Sequence, residues 1–157
     1  MRPTRTDDRD PTIPALSLVF GYGPMLPMLI GAGIAWTMAF PWPIIATSLT
    51  VLWAGAILLF LSGVRRGLAF HTPGGERPVQ MLTMLWLFLL GLGAFVVRTP
   101  VAALILLLIG YGSIAILDPI AARREEAPAH FARLRPPQML VGMIGLAALL
   151  AYHLTRG

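Results

Sequence analysis

The sequence has no cysteine and no lysine. The first absence excludes disulfides, thiolate nucleophiles and cysteine-bound metal. The second makes every one of the 12 positive side chains an arginine. Charge of either sign is scarce: 12% of the 157 residues carry one, where a soluble domain carries about a quarter. So little charge cannot clothe a soluble surface. Histidine is sparse too. His71, His130 and His153 stand far apart, and with Glu125 and Glu126 they form no recognised metal-ligand spacing. No metal and no cofactor is expected. Nucleophile elbows, phosphate-binding loops and H-E-x-x-H are missing. Ser48, Ser62 and Ser113 lie inside apolar runs, where a hydroxyl bonds back to its own helix. We read the chain as not an enzyme.

Hydrocarbon is what the chain has in abundance. Its residues are 57% hydrophobic and its mean hydropathy is +0.76. The apolar residues gather in five runs of about 17 to 25, the length that crosses a bilayer as a helix. The expected fold is an all-α membrane bundle with spans at 16–40, 44–64, 81–97, 101–117 and 138–154. A polar, proline-rich tail at 1–15 is expected to be disordered. The first run is too long for a signal peptide, whose apolar core is about 7–15 residues. It holds Pro24 and Pro27, each of which removes a backbone donor and crowds the preceding turn. A kink is expected there. "PWP" at 41–43, "TPGG" at 72–75, "RTP" at 98–100 and a longer loop at 118–137 connect the spans. Glycines recur within them, where close backbone approach replaces the hydrophobic drive that lipid cannot supply. Met25, Met28, Met81, Met84, Met139 and Met143 read as packing material.

The net charge of +5 does not point to nucleic acid. The arginines are scattered beside apolar runs, where they set topology and meet anionic headgroups. With five spans, the tail, the second-to-third loop and the fourth-to-fifth loop share one side. They hold ten arginines, while Arg98 and Arg156 alone lie on the other. This bias places the N-terminus in the cytoplasm or matrix. The expected location is the bacterial inner membrane, or the mitochondrial inner membrane in a eukaryote. Trp36 and Trp42 fall where an outer aromatic belt belongs.

One stretch raises a sharper question. "LLFLSGVRRGLAFH" at 58–71 ends a span in two arginines. Asp118 ends the fourth span, Tyr22 lies near the same end of the first, and Arg133 and Arg135 just precede the fifth. Positive-inside sorting does not require an acid there, and an acid at the edge of a low-dielectric region calls for a cation. Arginine offers a bidentate fork. Adjacent helical residues point about 100° apart, so Arg65 and Arg66 cannot both face one neighbour. Arg65, with Gly63 opening room for a neighbouring helix, is expected to turn inward to Asp118. Removing Arg65 alone is then expected to cost about 3–5 kcal/mol, and removing both partners less. Arg66, Arg123, Arg124 and Arg133 are the candidates for lipid headgroups. The plainer alternative also stands: a stop-transfer pair beside an acid that caps a loop.

"GYGPMLPMLIG", "WAGAILLFLSGVRRGLAF" and "HFARLRPPQM" resemble the three sequence blocks of the transmembrane protein 69-like family. The match covers nearly the whole membrane portion, and its second block is the most specific. Phe60, Leu61, Gly63, Arg65 and Gly67 match that block. Ser62 stands where the family has Gly, and Arg66 where it has Trp. Asp118 and Arg135 match later positions, which makes Arg65, Asp118 and Arg135 the candidate ion-pair residues. The resemblance implies a five-spanning protein of bacterial or mitochondrial membranes. With it, the expected role is an accessory or assembly subunit docking on a larger, respiratory membrane complex. Anionic lipids and other membrane subunits are the expected partners. The alternative is a small transporter or channel for lipid, quinone or protons built on the Arg65/Asp118 cluster.

Overall fold

The computed structural model describes residues 15–70, 75, 77–124 and 131–156. Among them all regular structure is helical: α1 (Ala15–Tyr22), a 3-10 turn (Gly23–Met25), α2 (Leu26–Thr37), α3 (Trp42–Ala69), α4 (Pro78–Val96), α5 (Pro100–Arg123) and α6 (Phe131–Arg156). Five segments are long and apolar enough to cross a bilayer. The first combines α1, the turn and α2, and the others are α3 to α6. This is the construction of a multi-pass membrane protein. The expected tail lies outside the described residues, apart from Ala15.

Proline decides where helices begin. Pro27, Pro43, Pro78 and Pro100 sit in the first turns of α2, α3, α4 and α5, where a missing N–H leaves no helical bond unmade. Thr99 also caps α5, its hydroxyl accepting from the Ala102 N–H at 3.4 Å. In the first span the two prolines produce a break. The Leu26 N–H donates to the Gly23 carbonyl, the acceptor that Pro27, four residues on, cannot serve. The helix thereby tightens into a 3-10 turn. Trp53 on α3 covers the break by donating its indole N–H to the Pro24 carbonyl at 2.8 Å.

Several helix ends differ from those read in the sequence. The first span stops at Thr37. α3 runs on through Arg65 and Arg66 to Ala69, and α5 through Asp118 and Pro119 to Arg123. α6 starts at Phe131, ahead of Pro136 and Pro137, so much of the expected loop at 118–137 is helix. The cause is simple. An apolar run ends at the first charge, but backbone hydrogen bonding does not, and arginine stems can line apolar surface while their heads reach water. At a rise of about 1.5 Å per residue the 28 residues of α3 extend roughly 42 Å, beyond the hydrocarbon thickness of about 30 Å.

The spans close into a ring. α2 packs on α3 and α6, α3 on α4, α4 on α5 and α5 on α6, while α3 also reaches α5 across the bundle. Leu58, Leu87, Leu104, Leu107, Tyr111 and Leu146 form the fully buried centre. Gly145 allows the closest crossing: a Cβ there would stand 2.6 Å from the Met28 carbonyl carbon. A Cβ on Gly91 would lie 3.3 Å from the Gly55 carbonyl oxygen. Gly63 does not serve this purpose. It is exposed, and a Cβ added there meets nothing within 4 Å, so the room expected for a neighbouring helix is not used.

Candidate functional site

Arg65, Asp118 and Arg135 lie near one end of α3, α5 and α6. From Trp42 to Arg65 is about 35 Å of helix, from Pro100 to Asp118 about 27 Å, and from Arg156 back to Arg135 about 32 Å. Each distance is close to the hydrocarbon thickness of about 30 Å. With the far helix ends at one membrane face, the three charges stand at the headgroup edge of the other.

They form one cluster. Arg65 donates to the Asp118 Oδ1 from Nε at 3.0 Å and from Nη2 at 2.6 Å. The Nε of Arg135 lies 3.1 Å from the other oxygen, Oδ2. The side chains of Arg65, Asp118 and Arg135 are 13%, 10% and 9% exposed. Arg135 Nη1 also donates to the Oε1 of the buried Gln138 at 3.4 Å. Asp118 therefore sits inside α5 as the hub of a three-helix clamp, not at its end as the cap of a loop. Loss of Arg65 alone leaves Asp118 still facing Arg135, so the expectation that it strands the carboxylate does not hold.

The other candidates are dispersed. Arg66 lies along the protein, its guanidinium 4.4 Å from the centre of the Phe70 ring and its Nη1 against the Met81 sulfur. Arg123, Arg124 and Arg133 are exposed at the cluster's end of the bundle. Tyr22 closes α1, half-buried. Pro24 and Pro27 flank the helix break. His71, Glu125, Glu126 and His130 lie outside the described residues. At the opposite end His153 Nε2 and Thr47 Oγ1 are 3.0 Å apart. Arg156 lies 5.0 Å over the Trp36 ring. Ser48, Ser62 and Ser113 each donate to a carbonyl of their own helix.

Four cross-helix bonds had no marker in the sequence. Besides Trp53, Trp36 donates to the Ala148 carbonyl at 2.9 Å and Trp86 to the Ser113 hydroxyl at 3.1 Å. The fully buried Tyr111 donates to the Ala54 carbonyl at 3.1 Å. The one signal was the rarity of a donor inside an apolar run, since an indole or phenol held away from water normally finds an acceptor. No family model, curated protein or solved structure matches the chain.

Proposed function

We propose that this protein is an accessory or assembly subunit that docks on a larger, respiratory inner-membrane complex, with its N-terminus in the cytoplasm or matrix. We place it in the transmembrane protein 69-like family. Family membership rests on the sequence blocks around Tyr22, Arg65 and Arg135, and the orientation on the ten-to-two distribution of arginine. One observation carries the role: polar side chains within the spans reach across to neighbouring helices, to side chains at Asp118 and to backbone carbonyls elsewhere. Asp118 joins three helices, Trp53 ties α3 to the broken span, Trp36 ties α2 to α6, and Tyr111 ties α5 to α3. Such a bundle is a rigid unit with an apolar outside, suited to being packed against.

The test is gentle detergent extraction of the tagged, natively expressed chain, followed by identification of what accompanies it. Stoichiometric recovery with one larger respiratory complex is expected. Recovery as a lone, homogeneous particle overturns the reading. A small carrier for lipid, quinone or protons is the second reading, favoured by the position of the cluster beside a groove. Transport through the cluster requires Asp118 to release both arginines, which ranks it second.

A further inference from the structure

A groove opens beside the ion cluster. One wall is α1 and the 3-10 turn, the second is α3, and α6 closes it with Leu134, Arg135 and Gln138. Its volume is about 270 Å³, near the lower end of the roughly 300–1,000 Å³ of small-molecule sites. Phe20 and Phe60 stand exposed along it, and Val64 lines it from α3. Gly21 keeps it open beside Gln138, since a Cβ there would lie 3.3 Å from the Gln138 Oε1. The groove is thus apolar along most of its length and polar at one place. That place belongs to the cluster and lies at the headgroup edge.

Charge tells which head group fits. Among the described residues two guanidiniums, of Arg65 and Arg135, share one carboxylate, that of Asp118. An anion near Arg135 is attracted by this arrangement and a cation is not. Gln138 beside it carries an amide NH2 that can donate to a phosphate. The volume takes part of one chain and not two. The headgroup depth favours a molecule already in the bilayer over a solute from water.

We propose that this groove is a binding site for an acidic phospholipid. One acyl chain lies between Phe20 and Phe60, and the phosphate sits at the Arg135 and Gln138 end. The proposal deepens the reading of anionic lipid as a partner and rests on the five helices spanning a bilayer. It does not depend on docking to a larger complex, so copurification results bear on neither its success nor its failure.

The full chain, purified in an uncharged detergent, is titrated with dioleoyl phosphatidylglycerol or dioleoyl phosphatidylcholine, and bound lipid is read by native mass spectrometry. Wild type should retain phosphatidylglycerol about fivefold more strongly, the worth of roughly one basic side chain at an anionic surface. Arg135→Gln should abolish that preference. Val64→Trp, which fills the groove and keeps all three charged side chains of the cluster, should reduce retention of both lipids while leaving the thermal midpoint near wild type. Gln138→Leu provides a second polar-end variant should Arg135→Gln fail to fold, and should weaken the preference. Equal retention of the two lipids by wild type overturns the proposal, as does wild-type retention by Val64→Trp. Displacement of phosphatidylglycerol by inorganic phosphate or by oleate also overturns it, reassigning the groove to a free anion or a free fatty acid.

Discussion

Arg65 places two nitrogens on a single oxygen of Asp118, Nε at 3.0 Å and Nη2 at 2.6 Å, across 53 residues of sequence. That one-sided grip leaves Oδ2 to Arg135, and the energetics follow from it. Asp118→Leu sets two buried cations against each other with no counter-charge and should cost about 3–5 kcal/mol. Arg65→Met leaves a pair intact and should cost less, about 1.5–3 kcal/mol for the charge-assisted bonds lost. The double variant should be more stable than Asp118→Leu alone, because it removes one of the repelling cations. Unfolding midpoints in detergent measure all three. An Asp118 variant no worse than the Arg65 variant would refute the three-body account.

Gly145→Ala should destabilise by about 1–3 kcal/mol, because its Cβ would press on the Met28 backbone and overpacking cannot be relieved by a side-chain rotation. Gly33→Ala is the control. A Cβ there meets nothing, and alanine favours helix over glycine by about 1 kcal/mol, so stability should hold or rise. Thermal midpoints that move together for the two variants would contradict the assigned crossing.

Trp53→Phe removes the donor to the Pro24 carbonyl. Interhelical bonds in membranes are worth about 0.6 kcal/mol on average and up to about 1.7, so the global effect should be small. The local effect should be visible as faster amide exchange around Met25 and Met28. Exchange there identical to wild type would show that the indole does not cover the break.

The lack of cysteine makes orientation simple to measure. Arg98→Cys and Arg124→Cys each introduce one thiol, at opposite ends of α5 or its flanking turn. In intact cells a membrane-impermeant maleimide should label position 98 and not position 124. Labelling of 124 alone would reverse the proposed orientation.

The spans were legible because hydrocarbon runs of this length have few alternatives to a membrane helix. The break was legible at Pro24 and Pro27, and so was the need of Asp118 for a cation. The helix ends were not. Arg65, Asp118 and Arg133 look like loop residues when judged by polarity, yet the backbone continues through them. Pro136 and Pro137 made 131–137 read as a connection, so Arg135 stood as an ion-pair candidate through the family resemblance and not through its place on a helix. Gly63 was given a packing role that Gly55, about two turns earlier on α3, and Gly91, on the facing α4, fill. Which of several similar glycines meets a neighbour is set by helix rotation, and the apolar pattern of a lipid-facing helix fixes rotation poorly.

The closure of the ring by α2 against α6 has a consequence for biosynthesis. Within this chain the span with the broken backbone is made before α6, which supplies some of its partners. Met28 waits for Gly145, Trp36 for Ala148, and Gly21 for Gln138. Until α6 is inserted, the first span stands in lipid with one flank bare. A nascent chain stalled before Phe131 is therefore an open arc with its weakest element at the edge, and quality-control proteases should recognise it there.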